Sequence, residues 1–505
     1  MRFSPNSTHL TPEPLRNNTL SGLQKITNLK IPPPIPVNPS FPFSTQLQHH
    51  LTGRSLLPDE IPFIIELLHE HHLNGYITYN KGVSNNLCNR CGNTKKHLFA
   101  TFRCFRCKEP CTYCRNCIMM GRVSECTPLI TWTGPAPVPQ TNHIPTGTPP
   151  HIHPTFNWNG TLTQAQKKAS DRVMDALNTN QNLLVWAVCG AGKTEVLFEG
   201  INQALKQNKR VCVAAPRTDV ILELSPRLQK VFPHTSITTL YGGSEERHQY
   251  GQLVLSTTHQ LFRYKHAFDF MIIDEVDAFP FSYDNSLKYA VDKARKSKST
   301  TVHLTATPDE LTQHKCSTRK LDYIPIPARY HRHPIPTPRF SWSGNWKKNL
   351  EKHRIPAPLI RWTIERLNQN KPSLIFFPSV KTMEKALPLM RKIHPAIQSV
   401  HAEDPSRKEK VHQMRNKEIP ILLTTTILER GVTIPNIDVA VLGAEEDIFT
   451  ESALVQIAGR VGRSSEFPTG DVTFFHYGKT REMIRALLHI NNMNKEAAKG
   501  GLIDG

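Results

Sequence analysis

The sequence predicts an α/β protein: two parallel-sheet domains in tandem, preceded by a small Cys-rich zinc-binding module. Three observations carry this. From Leu162 onward, short apolar runs alternate with amphipathic helical segments in two successive series, and strands alternating with helices make parallel sheets covered on both faces. Eight of the 11 cysteines fall between Cys88 and Cys126, and such clustered CxxC pairs in a large chain read as metal ligands rather than disulfides. A length of 505 residues exceeds one ordinary core and suits two or three domains.

Taken in order, residues 1–50 are rich in Pro, Asn, Ser and Thr, bury little apolar surface and are expected to be a disordered tail. Residues 51–130 hold the N-terminal region and its zinc module. Within them Leu57 to His72 reads as a short amphipathic helix, and GYITYNKG from Gly75 as a brief strand or hairpin. A Pro-rich linker follows over 131–160. The first sheet domain, 161–330, draws its strands from NLLVWAV, RVCVAAP, QLVLSTT, FMIIDEV and TVHLTAT. The second, 357–490, draws them from PSLIFFPS, IPILLTTT and DVAVLGA, and a tail covers 491–505. Between the domains, 331–356 is a basic, aromatic linker in which Arg332, Arg339, Lys347 and Lys348 alternate with Phe340, Trp342 and Trp346. That pattern suits a single-strand channel or, equally, a linker whose aromatics enter a core.

Lys plus Arg number 62 against 42 Asp plus Glu, a formal net charge of +20. So basic a chain favours a polyanionic partner, nucleic acid before anionic lipid. No run of about 18 apolar residues occurs, which excludes a membrane-spanning helix. The start, MRFSPNSTHLTPEPLRNN, lacks the apolar core of a secretory signal, so the expected compartment is the cytoplasm.

The first strand of the first series runs into Ala187-Val-Cys-Gly190-Ala191-Gly192-Lys193-Thr194. This is a GxxxxGK[ST] pattern with Ala187 in place of the first glycine. Glycines let backbone wrap a phosphate, so that amide N–H groups and the following helix N-terminus face the anion. Lys193 would neutralise the β and γ phosphates of ATP, and Thr194 would hold Mg²⁺. A plain glycine turn is the alternative, but the strand–loop–helix order favours a phosphate loop. Further on, an apolar strand ends in Asp274-Glu275-Val276-Asp277. Asp274 suits Mg²⁺ and Glu275 an attacking water. An acidic strand end alone is often only solvated; with the phosphate loop in the same domain it marks an NTPase.

On these residues the sequence resembles the superfamily 2 helicases and translocases over about residues 160–480, which implies two RecA-like domains. Leu162-Thr163-Gln164-Ala165-Gln166 resembles the family's Gln motif and implies that Gln166 lies near adenine, with Gly190, Ala191, Gly192, Lys193 and Thr194 on the phosphates. Pro216-Arg217-Thr218 and Ser256-Thr257-Thr258-His259 resemble strand-contacting motifs, which implies nucleic-acid contacts at Pro216, Arg217, Thr257 and Thr258. Thr305-Ala306-Thr307 resembles the motif coupling the two ligand sites. Thr424 to Gly431 resembles the motif touching both, implying Thr425 and Thr426 on the strand and Gly431 at the nucleotide. Gln456-Ile-Ala-Gly459-Arg460-Val-Gly462-Arg463 resembles QxxGRxGR, which supplies arginine fingers. Independently, Arg460 and Arg463 would share a face if the segment is helical, and a planar guanidinium suits spread phosphate charge.

The ligand string is Cys88-x2-Cys91, Cys104-x2-Cys107, Cys111-x2-Cys114-x2-Cys117 and Cys126. The first expectation joins Cys88, Cys91, Cys104 and Cys107 around one tetrahedral Zn²⁺, with Gly92 at the tight turn. Cys111, Cys114, Cys117 and Cys126 then form a second site or include spare thiols. A redox CxxC is the alternative, but residues 80–130 hold too little apolar sequence to fold unaided. Arg90, Lys95, Lys96, Arg103, Arg106, Arg115 and Arg122 are interspersed and suit nucleic-acid contact or solubility.

A Cys-rich module ahead of the motor, ending MMGRV at Met119 to Val123, with DEVDAFP at Asp274 to Pro280, resembles the late-competence ComFA family over about residues 50–480. That resemblance implies an ATP-dependent translocase acting on single-stranded DNA that enters at the cytoplasmic face of the membrane during natural transformation. Its partners would be competence DNA-uptake proteins, with a homo-oligomer as an open option. The alternatives are a primosomal replication-restart helicase, a family in which the zinc module interrupts the motor, and an ATP-switched adaptor that clamps a single strand without moving along it.

Overall fold

The computed structural model describes residues 1–6, 8–16, 22–137, 156–429 and 434–504. Two parallel α/β sheets follow an N-terminal region with two four-cysteine clusters. The first sheet has seven strands in the order Ile237–Leu240, Leu253–Thr257, Val211–Ala215, Phe268–Ile273, Arg295–Thr305, Leu183–Ala187, Asp322–Ile326. The second has six, in the order Arg339–Trp342, Val472–His476, Asp438–Leu442, Ser373–Phe376, Ile421–Thr424, Gln398–Val400, and all its pairs are parallel. The strands read from the sequence are the near-continuous apolar runs of these sheets. Those missed, such as ITTL at 237–240 and QSV at 398–400, are short, polar edge strands.

The described residues cluster into two compact units: Met1–Asn159 with Met174–Asn182 and Glu199–His303, and Gly160–Val173 with Leu183–Phe198 and Leu304–Gly505. In the first unit the N-terminal residues are not a disordered tail. Arg2–Pro5 pairs antiparallel with Leu10–Pro12 and Gln24–Lys25. Phe3, Leu10, Ile26, Leu29 and Leu47 are buried in one core with Ile77, Tyr79 and Ile130. Each of Phe3, Leu10, Ile26, Leu29 and Leu47 stands alone between polar residues, so composition averages hide a set that packs only in three dimensions. The helix expected from Leu57 starts later, at Ile65–Leu73, after a 3-10 turn at Pro58–Glu60. GYITYNKG does yield a strand, Ile77–Lys81, paired with Pro128–Trp132, a strand that ends inside the expected linker. The rest of that linker, 138–155, lies outside the described residues.

The N-terminal region is continuous with the first sheet's core rather than a separate module. Leu57, Val83, Val123 and Leu129 share one apolar cluster with Tyr264, Phe268, Phe281 and Leu287. Arginines bind carbonyls across the seam: Arg54 donates to Arg247 O at 2.8 Å, and Arg210 to Thr52 O at 3.0 Å.

In the second unit, Leu183–Ala187 pairs in parallel with Asp322–Ile326. The stretch read as a linker, 331–356, joins the second domain. Arg339–Trp342 is an edge strand on Val472–His476. Trp346 opens the helix Trp346–Glu351 and is buried with Ile375, Phe377 and Leu442, its indole N–H donating to Glu445 Oε1 at 2.7 Å. Trp342 remains exposed. The expected tail from 491 is the second half of a 19-residue helix, Arg481–Lys499, whose Met493 and Ala497 are buried.

Candidate nucleotide site and metal centres

The strand Leu183–Ala187 delivers the chain into the loop before the helix Lys193–Lys206, so Lys193 and Thr194 occupy its first turn. Amide groups there lack intrahelical partners and carry the positive end of the helix dipole, which suits phosphate. Gly190 and Gly192 adopt φ of +83° and +70°. Gly192 is required by its conformation, and a Cβ there would also displace the Gln166 amide from its place against the loop. Gln166 Nε2 donates to Ala191 O at 2.9 Å, and Gln166 Oε1 accepts from Thr163 N–H at 2.8 Å. The expected adenine-side glutamine therefore also fixes the phosphate loop.

The segment Gln456 to Arg463 meets this loop within the same unit. Cys189 Sγ donates to Gln456 Oε1 at 3.0 Å. A Cβ at Gly459 would collide with Cys189, and one at Gly462, φ +68°, with Pro468 O. Close approach thus explains both glycines of QxxGRxGR. The two arginines do not share a helix face, because the helix Glu451–Ala458 ends before them. Arg460 is buried and donates from Nε to Glu429 O at 2.9 Å; Arg463 Nε donates to Gly459 O at 3.0 Å. Arg460 is thus held by a carbonyl that follows the strand Ile421–Thr424, and Arg463 by a carbonyl at the end of the helix before it. Arg329, which no motif singled out, binds the turn after that helix and the phosphate loop together. Burial pushes its guanidinium down to about 10.

In the first unit, Asp274 and Glu275 directly follow the strand Phe268–Ile273 and are half-buried. Asp274 N–H donates to Ala214 O at 2.8 Å and Asp274 Oδ1 accepts from Glu275 N–H at 2.8 Å. Glu275 turns at φ +53°, so the chain leaves the strand sharply at the acid pair.

The expected strand-contacting residues divide by burial. Arg217, preceding the helix Thr218–Val231, is half-buried, as are Thr425 and Thr426 after the strand Ile421–Thr424. Pro216, Thr257 and Thr258 are buried; Thr258 is 0% exposed and its hydroxyl has no partner among the described residues. The side chains of these three thus lie in the interior, unlike those of Arg217, Thr425 and Thr426. Gly431 lies outside the described residues.

All eight clustered cysteines are buried, none in a disulfide. They form two sets, Cys88, Cys91, Cys114, Cys117 and Cys104, Cys107, Cys111, Cys126, each with its sulfurs within 4.8 Å of one another. The expected quartet of Cys88, Cys91, Cys104 and Cys107 is thus replaced by an interleaved pairing. The cause is the hairpin of Phe99–Arg103 and Pro110–Cys114. Five extended residues span roughly 16 Å, so Cys104 at one end cannot reach the Cys88–Cys91 turn, which sits by Cys114 at the other. The sulfur separations are 3.8 Å for Cys88–Cys117, 3.7 Å for Cys91–Cys114 and 3.6 Å for Cys104–Cys126. A tetrahedron with Zn–S near 2.3 Å has edges of ~3.8 Å, so both sets fit Zn²⁺. Asn93 and Asn116 amides and the Ser124 hydroxyl approach Cys114, Cys91 and Cys126 sulfurs at 3.6–3.7 Å, as donors to thiolates should.

The first cysteine set is tied to the first sheet domain by a buried charge cluster invisible in the sequence. Arg90, 0% exposed, pairs with Glu60 at 2.8 Å, and Glu60 also pairs with Arg263 at 2.6 Å. Lys293 Nζ donates to Arg90 O and Phe262 O at 2.6 and 2.8 Å, and burial beside Arg90 pushes it down to about 7. Arg90 is therefore removed from the candidate nucleic-acid contacts, as is Arg106 in part, since it grips Asp59 at 2.9 Å. No motif or spacing would have flagged Glu60, which lies about 30 residues from Arg90 and 203 from Arg263.

Sequence comparison settles what these sites belong to. The Competence protein ComFA of Bacillus subtilis (strain 168) is 48% identical over 469 residues, 92% of this chain and 98% of that protein. The chain belongs to the ComFA family of competence proteins. The Competence protein ComFA of Streptococcus pneumoniae (strain ATCC BAA-255 / R6) is 37% identical over 76% of this chain and 86% of its own length. Within this ComFA-family chain, residues 38–131 match the Competence protein ComFA N-terminal domain, 159–310 the Type III restriction enzyme, res subunit, and 357–465 the Helicase conserved C-terminal domain. Such superfamily 2 domains make it an ATPase that uses ATP and Mg²⁺. Among the described residues no helix is long and apolar enough to cross a membrane.

Proposed function

We propose that this chain is a DNA-stimulated ATPase that pulls single-stranded DNA inward across the cytoplasmic membrane during natural transformation. The observation that carries the reading is the meeting of the phosphate loop, through Cys189, with Gln456 and Gly459 of the Gln456–Arg463 segment in a ComFA-family chain. Lys193 and the helix N-terminus bind the β and γ phosphates; Arg460 and Arg463 meet the charge that spreads over the transferred phosphoryl group. Glu275 orients the attacking water. Thr194 and Asp274 would hold Mg²⁺, which draws charge off the phosphate oxygens. Arg217, Thr425 and Thr426 face the DNA backbone, and the zinc centres are structural. Competence DNA-uptake proteins at the membrane are the partners, and membrane association passes through them or through basic patches.

The test is steady-state ATP hydrolysis with single-stranded DNA, duplex DNA or RNA across a salt series. Stimulation by single-stranded DNA that fades as salt rises is the expected result, because phosphate contacts release counterions. Equal stimulation by all three, or by none, would favour an ATP-switched adaptor. Lys193→Ala should abolish turnover while the protein stays folded.

A further inference from the structure

Arg329 is 2% exposed and spends every donor group on backbone carbonyls. Nε donates to Cys189 O of the phosphate loop at 3.2 Å. On the other side, Nη1 donates to Val461 O and Gly462 O at 2.8 and 2.6 Å, and Nη2 to Gly459 O at 3.2 Å. Its neighbours repeat the pattern: Tyr330 N–H donates to Gly190 O at 3.3 Å, and His331 Nε2 lies 3.0 Å from Gly462 O. The segment 329–331 therefore holds the phosphate loop with one hand and the arginine-bearing turn with the other.

The chemistry of the partners explains why an arginine is there. Residues 459–462 follow a helix C-terminus, where carbonyls lack intrahelical donors and carry partial negative charge. A planar fork with five N–H groups can serve several such carbonyls at fixed angles, which an ammonium cannot do. Gly459 O also accepts from Arg463 Nε, so the carbonyl that anchors Arg329 is the one that aims Arg463.

We propose that Arg329 is a positioning residue for ATP hydrolysis: it sets the spacing between the phosphate loop and the turn carrying Arg460 and Arg463, and so governs turnover rather than nucleotide capture. This rests on reading the Lys193 loop as the ATP site. Nucleotide binding depends on Lys193, Gln166 and loop amides, none of which Arg329 contacts except through one loop carbonyl. The approach of the two arginines depends on a turn that Arg329 grips three times.

The experiment compares Arg329→Lys and Arg329→Gln with wild type and Lys193→Ala, all as the full chain with saturating single-stranded DNA. It reads kcat, KM for ATP, and the Kd of a fluorescent ATP analogue. Both Arg329 variants should lose kcat by ~10-fold or more while KM and Kd stay within ~3-fold, and lysine should not rescue glutamine's loss. Wild-type kcat in either variant overturns the proposal; so does a Kd that weakens in step with kcat. If the Arg329 variants fail to fold, His331→Ala, on a partly exposed side chain, carries the test. A roughly 3-fold fall in kcat at constant KM supports the proposal, and an unchanged kcat overturns it. Absent turnover in wild type, or undiminished turnover in Lys193→Ala, would instead sink the ATP-site reading.

Discussion

The two CxxC knuckles that open the metal sites are the same turn used twice. In each, the residue after the second cysteine donates its N–H back to the first cysteine's carbonyl at 2.8 Å, Gly92 to Cys88 and Lys108 to Cys104. In each it takes a left-handed φ, +72° at Gly92 and +58° at Lys108. Their surroundings are opposite. The inner set, Cys88, Cys91, Cys114 and Cys117, sits in or beside the first sheet domain's apolar cluster, with the Tyr289 ring against Gly92. The outer set, Cys104, Cys107, Cys111 and Cys126, packs with little but Phe102, and Phe105 on its turn is 95% exposed. One cysteine set is thus part of the first sheet domain's interior and the other a surface appendage. Identical local chemistry has been given two jobs by what lies next to it.

Breaking the inner site should have the largest effect. Cys117→Ser should reduce zinc from two ions per chain to one and unfold the first unit, because the binding free energy of a structural zinc, roughly 10–16 kcal/mol, is folding free energy. Metal content and circular dichroism check this. Retained helicity with one zinc lost would mean that the motor core stands without its inner site. Cys104→Ser should also remove one zinc, yet leave DNA-independent ATP turnover within about 3-fold of wild type, since the outer set shares no core with the sheet. A loss of turnover equal to that of Cys117→Ser would abolish the distinction between the sites.

The charge cluster around the inner knuckle offers the next effect. Glu60→Gln would strand Arg90, whose Nε and Nη1 already lack partners among the described residues, and breaking such a buried pair costs about 3–5 kcal/mol. Removing both charges in Glu60→Leu with Arg90→Met should recover most of that in urea denaturation. Failure to recover would show that Arg263, which also holds Glu60, is the partner that matters.

This contrast marks the limit of what could be read from the chain alone. The phosphate loop, the acid pair, the two series of strands and the presence of metal knuckles are local patterns, and all were legible. Which cysteines share an ion depends on the Phe99–Arg103 hairpin register, and a five-residue strand with no buried face carries no spacing signal for its partner. Arg329 stands just ahead of the basic, aromatic stretch and in no motif, and its contacts are backbone carbonyls that leave no trace in side-chain patterning. The helical reading of Arg460 and Arg463 failed because a spacing of three is also compatible with the turn after a helix.

The smallest and sharpest test exchanges the residues that follow the two knuckles. Gly92→Ala places a methyl in the face of the Tyr289 ring, 2.6 Å from its Cγ, at a φ that L residues resist. Overpacking and the left-handed penalty together should cost on the order of 2–4 kcal/mol. Lys108→Gly makes the reverse change at a solvent-facing copy of the turn. It relieves the same backbone strain but adds chain entropy to the unfolded state, so the two nearly cancel and stability should move by less than about 1 kcal/mol. Denaturation midpoints of the two variants, with zinc content confirmed at two per chain, separate the contributions. A large loss at Gly92 with none at Lys108 assigns the difference to the motor surface; equal losses would assign it to the turn itself.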